Sequence, residues 1–365
     1  MNKLRDIFFQ LLRMGLWGQG SLHLPEPLSA KDWNTLYEWA KTQTVEGIIF
    51  DAFALLLEDQ LPPLPLRMKW AVRTDQIERL NQQMSQTIAE QYTYFTAQGL
   101  QPLLLKGQGV ASCYPQPGHR NAGDVDWYFS KAEYEQAYQS VLRKGIAVSA
   151  PLNFTLSYDW NQIPIEHQAK IFDLRSLFKL DYLNKLQADY QDRRQIVKLG
   201  GVAVPILAPE MQILQVNIHI LKHLLSFGIG LRQINDAAIL YHAYKDQIDA
   251  KALQRIYKKL GILPWIHLLH HLLVKHIGLA KEELPFPYPE KLNADWMFEE
   301  IWQSGNFGFH DERFMHGKVG FGSKQPEGAK RIMRNLKLYY KYAPQEVVFF
   351  PLRRITARVQ SWLKR

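Results

Sequence analysis

Two aspartates two residues apart, Asp124 and Asp126, interrupt an otherwise apolar run in Gly123-Asp124-Val125-Asp126-Trp127-Tyr128-Phe129. Side chains alternate along a strand, so the two carboxylates share one face while Val125 and Trp127 take the other. Two acids on one face repel each other, and burying them without a partner costs several kcal/mol. A divalent cation is the simplest partner that makes the arrangement favourable. Mg2+ takes one or two carboxylates and leaves its remaining positions to water and substrate phosphates. The plainer alternative is a strand start with two solvated acids.

The elements around the pair bear on that choice. Gln101-Pro102-Leu103-Leu104-Leu105 reads as a short buried strand that stops at Lys106-Gly107. Gln108 to Tyr114 reads as a short helix, with Val110, Ala111 and Tyr114 at helical spacing. A glycine at a strand-to-helix turn lets the backbone approach a ligand closely. A helix start behind it offers N–H groups to phosphate. Tyr114-Pro115-Gln116-Pro117-Gly118-His119-Arg120 is then a loop that delivers Arg120 four residues before Asp124. This order of parts supplies phosphate donors on one side and metal ligands on the other.

Leu104-Leu105-Lys106-Gly107, Tyr114-Pro115, Arg120 and Gly123-Asp124-Val125-Asp126 together resemble the signature of the uncharacterised nucleotidyltransferase family of the polymerase-β-like superfamily. The resemblance covers roughly residues 30–280. Trp33 to Phe53 is similar to the family's N-terminal helices, and Leu231-Arg232-Gln233-Ile234-Asn235-Asp236 to a helix of its C-terminal half. It implies a third acid on a later strand. Glu166, in Ile163-Pro164-Ile165-Glu166-His167, fits best. It further implies Mg2+ or Mn2+ on Asp124, Asp126 and Glu166, and an NTP whose phosphates meet Lys106, Gly107, Gln108 and Arg120. Asp124, Asp126 and Glu166 would be the catalytic residues of transfer to an unknown hydroxyl acceptor. The superfamily's Gly-Ser turn is Gly107-Gln108 here, so Lys106, Gln108 or backbone N–H groups must take the place of the serine hydroxyl.

The expected architecture is α/β (α+β), a small mixed-sheet nucleotidyltransferase core embedded between N- and C-terminal helical regions. Residues 1–97 form the first helical region, with Ser29 as an N-cap and Arg67 to Gln98 as one long helix. Residues 98–175 are the core. Within it, Lys131 to Lys144 is a helix ended by Gly145, and Phe154 to Tyr158 and Ile163 to Phe172 form a hairpin turning at Asp159–Gln162. Residues 176–280 return to helix apart from the strand-like Val202-Ala203-Val204-Pro205-Ile206. Residues 281–365 are a Gly- and Pro-containing segment of weak periodicity, then a basic amphipathic C-terminal helix.

A chain of 365 residues with 47% hydrophobic content can bury a large core. The single Cys113 excludes an internal disulfide framework and fits a reducing compartment; it reads as packing. The N-terminal stretch is amphipathic rather than a signal peptide, since Asp6, Gln10 and Arg13 interrupt its apolar run. With no spanning segment in sight, the expected location is cytoplasmic. Nearly all of the +9 net charge follows residue 330, where nine basic residues meet one acid, Glu346. Such a tail suggests a polyanion partner, an anionic membrane surface, or a docked helix with its charges in water.

His219 and His223 share a helix face, but Ile220 stands where a zinc protease has glutamate. They are expected on a helix packed near the acids, with one His toward substrate. His267, His270, His271 and His276 read as structural. Besides the transferase, two rival functions fit the chain. One is a catalytically degenerate nucleotide- or nucleic-acid-binding module of the same fold. The other is a peripheral membrane protein using its two amphipathic ends.

Overall fold

The computed structural model describes residues 3–24, 26–149, 155–309, 311–316, 325–326 and 328–351. Four helices come first: α1 (Lys3–Trp17), α2 (Ala30–Gln43), α3 (Glu46–Asp51) and α4 (Leu64–Thr96). Then follow β1 (Leu103–Leu105), α5 (Gly107–Ala111), β2 (Val125–Tyr128), α6 (Lys131–Arg143), β3 (Thr155–Trp160) and β4 (Ile163–Gln168). Next come α7 (Leu180–Asp189), β5 (Gln195–Leu199), β6 (Val202–Ile206), α8 (Pro209–Leu224) and α9 (Leu231–Tyr244). The last are α10 (Ala250–Leu260), α11 (Leu263–Leu272), α12 (Asp295–Ser304) and α13 (Gly328–Tyr339). By internal contacts the chain divides into two units. The first holds 1–38, 45–172 and 187–215; the second holds 39–44, 173–186 and 216–365.

The first unit is built on a six-stranded mixed sheet in the order β3-β4-β2-β1-β6-β5. β2 runs antiparallel to β1 and parallel to β4, while β1 and β6 are parallel. One face is apolar: Leu104, Val125, Trp127, Leu156, Tyr158, Ile163, Ile165, Val204 and Ile206 bury against Met84, Ile88 and Phe95 of α4. A polar chain threads that layer. The Trp127 indole N–H donates to Gln91 Oε1 at 2.7 Å, Gln91 Nε2 donates to the Tyr158 hydroxyl at 3.1 Å, and that hydroxyl lies 2.7 Å from His167 Nε2. Satisfying the Trp127 indole, the Gln91 amide and the Tyr158 hydroxyl makes their burial favourable, while His167 is paired through Nε2 and not through Nδ1.

Local signals explain most element ends. Ser29 Oγ accepts from the Asp32 amide at 3.2 Å and starts α2, as the sequence suggests. Ser130 and Glu133 form a full capping box on α6, and Gly145 at φ 78° follows its end. The β3–β4 hairpin turns at Asn161 and Gln162, both at positive φ. That is the primed-turn geometry whose twist matches a two-residue hairpin.

Three expectations change. β5 is a strand that the reading of residues 176–280 missed, and β5 and β6 extend the sheet beyond residue 175. The region 281–330 contains α12. α1 is no membrane-facing end, because Phe8, Leu11 and Leu12 are fully buried. Among the described residues no helix is long and apolar enough to cross a membrane.

In the second unit, part of the basic segment is spent internally. Arg331 pairs with Asp311 at 3.1 Å and donates to Ser304 Oγ at 2.7 Å, and Arg334 pairs with Glu300 at 2.6 Å. Glu346, the one acid there, accepts from the Arg175 and Ser176 amides at 2.6 and 3.0 Å. The expected amphipathic helix with Arg353, Arg354, Arg358, Lys364 and Arg365 lies outside the described residues.

His270 gives the second unit a pH dependence. It is fully buried between the Phe286 carbonyl at 3.1 Å and the Tyr241 hydroxyl at 3.0 Å, and burial pulls its pKa down to about 3. The folded state therefore binds fewer protons than the unfolded one. Its stability is complete above the unfolded histidine value of about 6.5 and is lost as pH falls toward the folded value. Denaturant titrations of wild type and His270→Gln should diverge accordingly. Between pH 7 and 4 the variant should lose about 3 kcal/mol less than wild type. Parallel losses would mean that His270 is charged in the fold.

Candidate functional site

The sheet's other face carries the acids. Asp126 pairs in register with Glu166 on β4, and Tyr128 with Gln168, so these four side chains share a face. Asp124 stands just before β2 and joins them by strand alternation. One carboxylate oxygen from each of Asp124, Asp126 and Glu166 lies within 4.8 Å of the others. Asp124 is exposed, Glu166 half-buried and Asp126 buried. His167 points the opposite way, into the α4 layer, as strand alternation requires.

Lys106 completes the cluster. β1 ends at Leu105, directly opposite Asp126, and the next residue places its ammonium Nζ 2.8 Å from Asp126 Oδ2. Lys106 adopts φ 50° and Gly107 φ 40°. The left-handed region suits glycine but strains a lysine, which the surrounding structure must hold in place. The other Asp126 oxygen accepts from Gln168 Nε2, which also reaches Glu166 Oε2 at 3.5 Å. Burial pushes the Asp126 carboxyl up; Lys106 opposes this, Asp124 and Glu166 add to it, and the result is about 7. For Lys106, burial pulls the ammonium down, but Asp126 and then Asp124 more than reverse it.

The other expected phosphate residues are placed differently. α5 is a five-residue helix, shorter than Gln108 to Tyr114, and Cys113 falls in the turn after it. Gln108 is 5% exposed, and its Nε2 donates to Asn81 Oδ1 on α4 at 2.7 Å. Asn81 Nδ2 in turn donates to the Gly118 and Arg120 carbonyls at 2.7 and 2.9 Å. One α4 side chain thus fixes both the turn at Gly107 and the loop that delivers Arg120. Arg120 itself is buried. The same loop is held at His119 by Asp51 and at Asn121 by the buried Glu46, which also pairs with Arg73 at 3.1 Å. Gly47 admits the loop: a Cβ there would sit 2.3 Å from the His119 carbonyl oxygen.

The acid face also borders a small cleft lined by Phe172, Gln187, Tyr190, Arg194, Leu207 and Met211. Gln187 Nε2 donates to the Tyr128 hydroxyl at 2.6 Å, and Tyr128 stands two strand residues, about 7 Å, along from Asp126. The His219 and His223 rings meet edge-on at 4.4 Å, and His223 lies against Phe307. Among the described residues only Asp124, Asp126 and Glu166 form a group able to hold a metal. The donors are all carboxylate oxygens, which suits Mg2+ or Mn2+ and not a thiolate-loving metal.

Sequence reasoning missed Asn81, Glu46 and Gln168. Gln168 was accessible, because it stands two residues beyond Glu166 on one strand. Nothing local marks Asn81 or Glu46, whose partners lie 27 and more residues away.

The family model described as uncharacterised nucleotidyltransferase matches residues 29–278, about two-thirds of the chain. No curated protein matches the chain. Among solved structures, the chain is similar to an antigenic nucleotidyltransferase-like protein from Paracoccidioides brasiliensis, at 12% identity and a TM-score of 0.31. That match covers 51% of this chain and 88% of the other.

Proposed function

This chain belongs to the uncharacterised nucleotidyltransferase family, and from that premise we propose that it transfers a nucleotidyl group from an NTP to a hydroxyl acceptor. The observation that carries the reading is the convergence of Asp124, Asp126 and Glu166 on one sheet face, with the Lys106-Gly107 turn beside them. The acceptor oxygen attacks the α-phosphorus, the bond to the bridging oxygen breaks, and pyrophosphate departs with the electron pair. Glu166, half-buried at the edge of the cluster, receives the acceptor's proton. Asp124, Asp126 and Glu166 are the residues that would hold Mg2+ or Mn2+, which when bound supplies positive charge to the transferring phosphoryl group. Lys106 and Arg120 add charge toward the phosphates. The Gly107-Gln108 turn meets them through its backbone, since the Gln108 amide is committed to Asn81.

A second reading, binding of nucleotide without turnover, draws support from one observation. No hydroxyl stands at the turn, and the side chain in its place faces α4. Incubation with each of the four NTPs labelled at the α-phosphate separates the two. Transfer requires stoichiometric pyrophosphate release and label on an acceptor, both lost in Asp124→Asn. Label that binds saturably but is never cleaved would favour the binding module.

A further inference from the structure

The acid cluster already contains a cation of its own. Three carboxylates converge within 4.8 Å, and the Lys106 ammonium lies 2.8 Å from the central one. With the acids ionised, the triad carries three negative charges and Lys106 returns one. What remains is matched by a single divalent ion. A second divalent ion would have to be balanced by the nucleotide's phosphates alone, and the Asp126 oxygen it would need already faces the Lys106 ammonium. We propose that Lys106 stands in for one of the two cations that such a triad would otherwise hold, so that the site works with one divalent metal and one fixed ammonium. The inference rests on the nucleotidyltransferase reading above and specifies its metal count.

Three features hold the ammonium where it is. Its backbone sits at φ 50° before Gly107 at φ 40°, a conformation that the turn over-determines. The neighbouring Gln108 side chain is tied to Asn81, which anchors the turn to α4. Its partner Asp126 is held on the other oxygen by Gln168, so the carboxylate cannot swing freely toward a second metal. A lysine released to solvent would leave the buried Asp126 carboxylate with the neutral Gln168 amide as its protein partner, which is costly until an ion takes the lysine's place. The arrangement therefore resists the displacement that a second ion would need.

Manganese counting tests this directly. Free Mn2+ is measured by electron paramagnetic resonance while the protein with one equivalent of a non-hydrolysable NTP analogue is titrated, and the uptake of the analogue alone is measured in parallel. Wild type should take up one ion per chain. Lys106→Met, which removes the charge at similar length, should take up two, and should bind Mn2+ without nucleotide at least tenfold more tightly than wild type. Lys106→Arg keeps the charge and should stay at one. Two ions per wild-type chain would overturn the inference while leaving the transferase reading intact, and so would an unchanged count of one in a folded Lys106→Met. Absence of any bound Mn2+ in wild type with the analogue would overturn both. The wild-type count decides even if a variant fails to fold.

Discussion

Asp126→Asn is expected to cost far more stability than Asp124→Asn, although either should abolish metal-dependent nucleotide binding. Asp126 is buried and holds the Lys106 ammonium at 2.8 Å. Removing its charge leaves the Lys106 ammonium, on a side chain 18% exposed, without its partner; the loss of a fully buried partner costs about 3–5 kcal/mol, and the remaining exposure reduces this. Asp124 and Glu166 remain nearby, so the loss should fall near the lower end. Asp124 is exposed, and its neutralisation should cost under about 1 kcal/mol. Urea denaturation of the two variants measures the difference. Wild type should also gain about 2.7 kcal/mol with Mg2+ and nucleotide at a hundred times Kd. Asp124→Asn, still well folded, should gain almost nothing. Equal stability costs would mean that the Lys106–Asp126 ion pair does not stabilise the fold. A full ligand gain in Asp124→Asn would place the nucleotide elsewhere.

The acid pair and its turn were readable because their signals are local. Alternation over five residues puts Asp124 and Asp126 on one face, and Lys106-Gly107 ends an apolar run where a turn must fall. Glu166 came from the family resemblance, and the parallel register of β4 against β2 sets it beside Asp126. β5 was hidden for a simpler reason. Its Gly200-Gly201 turn is a strong hairpin signal, but Gln195-Ile196-Val197-Lys198-Leu199 alternates only weakly, and its half-exposed face gives no apolar stripe. α12 was hidden by the prolines and glycines that flank it. The anchoring of Arg120 was not readable at all. It depends on Asn81 in the middle of a 33-residue helix, where an asparagine normally signals nothing beyond a solvated position. Charge counting along the chain does not see partners such as Asp311 and Glu300, which take up Arg331 and Arg334 of the basic segment.

Asn81 is the residue through which the fold sets the site, and its replacement should damage function without touching an acid. Its side chain is 4% exposed and makes three hydrogen bonds: two donated to the Gly118 and Arg120 carbonyls, one accepted from Gln108. Asn81→Ala removes the partner of the buried Arg120 carbonyl and of the half-buried Gly118 carbonyl, and leaves Gln108 Nε2 with only Met84 Sδ at 3.6 Å, at about 1–3 kcal/mol each with the sum reduced by local relaxation. A total of about 3 kcal/mol is expected. The functional loss should be larger in relative terms, because a shift of about 1 Å in positioned groups can cost about a hundredfold. Asn81→Asp separates the two ends of the bracket. It keeps an acceptor for Gln108 but faces the Gly118 and Arg120 carbonyls with an oxygen. If the loop delivers Arg120 to the nucleotide, Asn81→Asp should weaken nucleotide Kd as much as Asn81→Ala does. If the turn at Gly107 is what matters, Asn81→Asp should keep wild-type Kd while losing stability. A variant with lower melting temperature and unchanged nucleotide Kd and turnover in both substitutions would make Asn81 scaffold alone.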